Sequence, residues 1–320
     1  MKRYVFLVIA LVLAGAAFAQ PQYPNRPLRM VIPWPPGQAT DLAGRVVAQK
    51  LTELLNQQVV ADNRPGAGGM IGTDLVAKAA PDGYTLLAAS SGPVSISPLL
   101  QKAPYDYERD LAPVANVAYS PFVLVSAPSF PAKNAVEFIA LVKANPGKYA
   151  FSSSGTGASA HLAVEWFNNV NGIKATHVPF KGSAPALIEV ASGQIAYAVE
   201  TVAATMPHVR AGRLKAYGVT TSRPTSLAPD LQPLATSANM PGYDFAAWIG
   251  VMVAAGTAKP VVQQLAAAVD RAMQSADVRE RLAAAGLEVD YRRTEEFTRH
   301  LKDQKTRFAE IIRKGNIKIE

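Results

Sequence analysis

The sequence predicts a two-domain α/β protein. Short β-rich runs alternate with helical patterns through most of the chain, and from about Pro260 the pattern is helical. An export segment accounts for nineteen of the 320 residues, and the 301 that remain exceed what one core usually holds. Strand–helix alternation implies a parallel sheet covered on both faces.

The first stretch, MKRYVFLVIALVLAGAAFAQ, has basic Lys2 and Arg3, then an apolar run from Val5 to Leu13, then Ala17-Phe18-Ala19 as an A-x-A cleavage site. These are the parts of a secretory signal peptide, with cleavage expected after Ala19. The apolar run is shorter than the ~20 residues a membrane span needs. The mature chain is expected to be exported and soluble.

Strands are expected near 28–32, 58–61, 84–88, 122–126, 149–152, 195–199, 214–219 and 247–253. Helices are expected near 41–55, 71–79, 135–143, 160–170, 184–191 and 205–211. Asn134 with Glu137 forms a capping box, and Pro146 stops that helix. Ser183 is expected to cap its helix, and Gly212 to end the one near 205–211. Beyond Pro260, Asp277 with Glu280 and then Thr294 are expected caps, and Phe297, Leu301, Phe308 and Ile312 share one helix face.

Composition narrows the function. Cysteine is absent, so no disulfide holds the fold, and 49% hydrophobic residues supply an ordinary core. Without Lys2 and Arg3 the chain carries 30 basic and 24 acidic residues. Residues 291–320 hold nine of the basic and five of the acidic ones, so most of the surplus is one solvated helical tail. That distribution, with export, argues against a nucleic-acid partner.

Two segments share the order strand, small-residue loop, helix: VIPWPPGQATDLAGRVVA and FSSSGTGASAHLAVEWF. A helix N-terminus exposes unpaired N–H groups and the positive end of the dipole, an anion site that needs no basic side chain. Pro33, Pro35 and Pro36 either pre-set the first loop for a ligand or merely turn the chain. NRPGAGGMIG, residues 63 to 72, has Ile71 where a dinucleotide fingerprint needs its third glycine. Ser90-Ser91 follow a strand, at the end where open α/β sheets bind ligands. There is no G-x-S-x-G and no H-E-x-x-H, and four scattered histidines without cysteine make a poor zinc set. The serines near His161 leave a secreted serine hydrolase as an alternative. A third reading, the effector domain of a transcription regulator, finds the signal peptide where its DNA-binding helices belong.

Taken in order, these motifs resemble the periplasmic solute-binding receptors of the tripartite tricarboxylate transporter family, also called Bug receptors. The residues that carry the resemblance are Pro33 to Asp41, Asn63-Arg64-Pro65-Gly66-Ala67-Gly68-Gly69, Asp82-Gly83-Tyr84, the serine-rich loop, HVPFKGSAPALIEVASGQI, MPHVRAGRLKAYGVTT and Met240-Pro241-Gly242-Tyr243-Asp244.

The resemblance implies a type II periplasmic-binding-protein fold, a Venus flytrap with its ligand cleft between domains. Domain one would be 22–121 plus 236–320 and domain two 122–235. It implies no enzyme activity, no cofactor and no metal. It further implies a periplasmic monomer whose partners are a small mono- or dicarboxylate, aromatic ones included, and integral-membrane transporter subunits or, alternatively, a sensor kinase.

By position, one wall would use Gly37, Gln38, Ala39, Thr40, Gly68, Gly69, Ser90 and Ser91. The other would use Ser153, Ser154, Gly155, Thr156, His161, Phe180, Lys181, Glu200 and Thr201. Gln38 stands where the family pattern has a second glycine, and Glu200 where it often has Asp. Asp41 either contacts ligand or serves the first turn of its helix. Arg64 either pairs with a carboxylate or braces its own loop. Trp34 and Phe180 either stack on a flat ligand or pack the cleft wall.

Overall fold

A computed structural model describes residues 23–318, so the signal-peptide reading and the cleavage after Ala19 lie outside the described residues. In chain order the main elements are β1 (Leu28–Ile32), α1 (Ala39–Leu55), β2 (Val59–Asn63), α2 (Met70–Ala77), β3 (Thr85–Ser90), β4 (Leu111–Ser126) and α3 (Ala135–Lys143). Then come β5 (Ala150–Ser153), α4 (Ser159–Asn171), β6 (Thr176–Pro179), α5 (Ser183–Ala191), β7 (Tyr197–Thr201), α6 (Val202–Arg210) and β8 (Lys215–Val219). The chain ends with β9 (Ala246–Ala254), α7 (Lys259–Gln274), α8 (Ala276–Ala284), β10 (Glu288–Arg292) and α9 (Thr294–Gly315).

The strands form one ten-stranded sheet that falls into two halves sharing β4. Along its first part β4 pairs antiparallel with β9, from Leu111 opposite Ala254 to Pro121 opposite Ala246. Its last five residues pair instead with β7, from Phe122 opposite Thr201 to Ser126 opposite Tyr197. The change falls after Pro121, which has no N–H to give to a ladder. A second crossing lies beside it: Thr220 N–H donates to Phe122 O at 3.0 Å and Phe245 N–H to Thr220 O at 2.9 Å.

The expectation of a wholly parallel sheet is corrected. Pairs β1–β2, β1–β3, β5–β6 and β5–β7 are parallel, but β9 runs against β3 and β4, and β4 runs against β7, β8 and β10. Strands that carry the chain from one half to the other and back must run in opposite directions. The sequence reading also missed residues 111–121, β6 and β10. Pro113 and Pro121 disguise the first as non-strand. β6 is four edge residues ending in Pro179, and β10, although its five residues alternate polar and apolar, is short and wedged between two helices.

Each half carries apolar clusters on both faces of its sheet. In the first half, Ile32, Val47, Leu51, Leu86 and Leu265 form one, while Val31, Leu87, Met252 and Phe297 form the other. In the second, Phe122, Phe138, Phe151, Phe167 and Tyr197 pack on one face, and Val123, Leu187 and Val199's neighbour Ala198 on the other. Helix α9 contributes to both halves: Phe297 and Leu301 pack in the first, Phe308 and Ile311 in the second.

Asn134 caps α3 as expected, accepting the Glu137 N–H at 2.9 Å. Three other expected caps serve elsewhere. Ser183 is the first helical residue after Gly182, and its hydroxyl donates to Glu200. Thr294 donates to the Val114 carbonyl at 2.6 Å, and α8 begins after Ser275 rather than Asp277.

Candidate functional site

Helices α1 and α4 both begin at one cleft, and neither has a side-chain cap. The N-cap residues are Gln38 and Ala158, both extended, with no side-chain hydrogen bond to the first-turn amides. Gln38, Ala39 and Thr40 from one helix and Ser159 and Ala160 from the other line a cavity of about 40 Å³. Two positive dipole ends thus converge on a space that holds a few water molecules. None of the side chains lining it is basic.

Around these helix ends the cavity is walled by Trp34, Ser90, Phe122, Ser154, Ser183, Glu200, Thr201, Ala247 and Ile249. The Trp34 indole N–H donates to Ser90 Oγ at 2.9 Å, fixing the ring as a wall. Ser90 ends β3; Ala247 and Ile249 are alternate residues on one face of β9. Phe122 stands where β4 changes partners.

The two halves touch directly across the cleft. Gln38 Nε2 donates to Ser183 Oγ at 3.0 Å, and Ser183 Oγ donates to Glu200 Oε2 at 2.8 Å. Ser91 and Ser159 share a hydrogen bond at 2.8 Å, and Ser97 Oγ donates to Gly157 O at 3.0 Å. At Gly68, with φ +62°, a Cβ would stand 2.5 Å from the Thr156 carbonyl oxygen, so only glycine permits this approach. The cleft is closed.

Glu200 is the one ionisable group in the cavity lining, and it is 1% exposed. Burial raises its pKa; hydrogen bonds from Ser183, Ser154 and the Thr201 amide pull the other way. Oε2 also receives the Thr201 N–H at 3.3 Å, while Oε1 and Thr201 Oγ1 have no well-formed hydrogen bond.

The other residues singled out from the sequence lie around the cavity rather than in its lining. Asp41 is 2% exposed; its carboxylate accepts from Gly37 N–H at 2.9 Å, Arg45 Nε at 2.9 Å and Asn63 Nδ2 at 2.7 Å. It braces the proline loop. Arg64 pairs with Asp62 beside it at 3.1 Å. Gly69 packs beneath Trp34 and Pro93. Ser153 Oγ bonds His177 Nε2 at 2.7 Å, and Gly155 lies against Phe180 O and Gly68. Phe180 is half-buried on the outer apolar cluster of the second half, and Lys181 is exposed.

His161 is buried, and its Nδ1 accepts the Gly157 N–H at 3.3 Å. It therefore holds the serine-rich loop instead of activating a serine. Ser153 and His177 do meet, but neither lines the cavity.

Sequence reasoning missed Phe122, Ser159, Ala160, Ser183, Ala247 and Ile249. Ser159 and Ala160 were within reach, as the first turn after the serine-rich loop. The rest depend on which strand ends meet.

A larger hollow of about 300 Å³ lies behind the crossing strands. In it Arg292 pairs with Asp290 at 3.1 Å and Arg307 with Asp244 at 3.9 Å, and Arg223 also lines it. Among the described residues no cluster of three or more His, Asp or Glu could hold a metal ion, and no helix is long and apolar enough to cross a membrane.

Residues 43–317 match the family described as "Tripartite tricarboxylate transporter family receptor". Protein BugT of Bordetella pertussis is 35% identical over 319 residues, covering 98% of each chain. An adipate-bound protein of R. palustris superposes with a TM-score of 0.88 at 29% identity, over 92% of this chain and 99% of that one. MatC of Rhodopseudomonas palustris, with bound malate, superposes with a TM-score of 0.85 at 30% identity, over 91% of this chain and all of the other.

Proposed function

The chain belongs to the tripartite tricarboxylate transporter family of receptors, which bind solutes rather than transform them, and we propose that it captures a small organic anion, a mono- or dicarboxylate, and delivers it to integral-membrane transporter subunits. The lobes that open and close on the guest are residues 22–121 with 236–320 and residues 122–235. The protein works in the periplasm, after removal of the segment ending at Ala19.

The observation that carries this reading is the pair of uncapped helix N-termini lining one cavity with no basic side chain. First-turn amides of Ala39 and Thr40 on one helix and of Ser159 and Ala160 on the other offer hydrogen bonds to an anion without a counter-charge to desolvate. Such a site suits a carboxylate that must later be released. The adipate and malate held by two structural relatives support the same ligand class.

Thermal unfolding against a panel of mono- and dicarboxylates tests it. A true ligand at a hundredfold excess over its dissociation constant stabilises by about 2.7 kcal/mol. Native mass spectrometry of protein taken from its own periplasm should retain the guest. No shift across the panel, together with an empty protein from the periplasm, would sink the reading.

A further inference from the structure

We propose that Glu200 works in the closed cleft as an un-ionised acid, donating its Oε1 hydrogen to a second oxygen acceptor on the guest. This rests on the receptor reading and sharpens it. One carboxylate of the guest lies at the helix N-termini, and the far group must accept a hydrogen bond; a guest that offers an ammonium group there is disfavoured.

The geometry fixes where the proton sits. Gln38 Nε2 has only hydrogens to give, so Ser183 Oγ accepts from it and turns its own hydrogen toward Glu200 Oε2. The Thr201 amide also donates to Oε2. With Oε2 accepting twice, a proton on the carboxyl belongs to Oε1, which has no well-formed hydrogen bond.

A buried carboxylate needs a cation or several strong donors to stay ionised. The lining around Glu200 offers it no cation; its donors are neutral, Ser183, Ser154 and the Thr201 amide. The nearest acid in α1, Asp41, is matched by Arg45. Thr201 Oγ1, in the same lining, supplies a second polar atom beside Oε1. Two buried polar atoms without well-formed hydrogen bonds in one cavity lining mark a place a ligand group completes.

The test is calorimetry with malonate, succinate, glutarate and adipate, the matched monocarboxylates, and aspartate and glutamate. The best dicarboxylate should bind at least about tenfold tighter than its monocarboxylate and tighter than the amino acids. Glu200→Gln keeps a donor in place, so it should hold that affinity within about threefold. Glu200→Leu should lose about tenfold or more.

In the wild type, closure on the guest takes up a proton. Affinity should fall as pH rises above the open-form pKa of Glu200, by up to about tenfold per unit, whereas Glu200→Gln should stay flat. Dicarboxylates no better than monocarboxylates, or amino acids that bind best and are lost in Glu200→Gln, would overturn the role of Glu200 alone. No binding by any probe would overturn the receptor reading with it.

Discussion

The imidazole of His161 lies flat on that of His177, with ring centroids 4.1 Å apart and planes 15° from parallel. Phe151 covers the other face of His177 at 4.9 Å. Through these rings the serine-rich loop is tied to the sheet: His177 bonds Ser153, and His161 accepts the Gly157 amide. His161 must stay neutral to accept that amide, and burial pushes the pKa values of both rings down from 6.5, to about 3 for His161 and about 4 for His177.

Acid should therefore destabilise the fold through this pair. Unfolded histidine takes up a proton below pH 6.5, whereas the folded rings resist it. The stabilisation is complete above that pH and is lost as pH falls toward 4. Melting temperature measured from pH 7 to 4 should drop in the wild type, and drop less in a His161→Asn, His177→Gln double variant. Equal pH slopes in the two proteins would refute the assignment.

Closure should depend on Gly68. A Cβ there would meet the Thr156 carbonyl oxygen at 2.5 Å; the Cβ has no rotamer to escape by, and the oxygen is backbone. Gly68→Ala should leave the separate lobes folded yet hold them apart. Small-angle scattering with saturating ligand should show a larger radius than wild type, and affinity should fall about tenfold or more. A variant that closes normally would contradict the geometry.

Asp41 should matter through its loop. Asp41→Ala leaves the Gly37 amide without its acceptor and Asn63 Nδ2 with only the Trp34 carbonyl, and costs about 2–3 kcal/mol of stability. Asp41→Asn, which keeps an acceptor oxygen, should recover part of both stability and affinity. If Asp41→Ala removes binding without lowering the melting temperature, the residue contacts the guest after all.

The second half should stand or fall with Phe138. This ring is wholly buried, with Phe130, Tyr197 and Tyr217 at centroid distances of 5.2, 5.2 and 4.9 Å. Phe138→Ala should cost about 3–5 kcal/mol in denaturant unfolding. Phe138→Leu, which keeps most of the volume, should cost clearly less. A near-neutral alanine variant would mean the cluster repacks.

Much of the architecture can be read locally. Strand β1 and helix α3 have the bounds their patterns predict, because apolar period, caps and prolines act within a few residues. Helix starts after the proline loop and the serine-rich loop are equally local, so the two anion-binding turns are visible in the chain, and the order of motifs names the family. Strand direction is different: residues 111–121 pair with β9 more than a hundred residues away, and their prolines point away from a strand.

The sequence by itself determined the alternation of elements, the two helix N-termini and the family, since each follows from near neighbours along the chain. Only the tertiary structure decided that Gln38 meets Ser183, 145 positions on, and that Ser183 turns to Glu200 rather than capping its helix. Whether a hydroxyl caps, bridges or lines a cavity depends on which atom packing brings within hydrogen-bond reach. The state of Glu200 follows likewise from its surroundings, because a carboxyl is ionised or not according to the water and charge that the whole fold leaves around it.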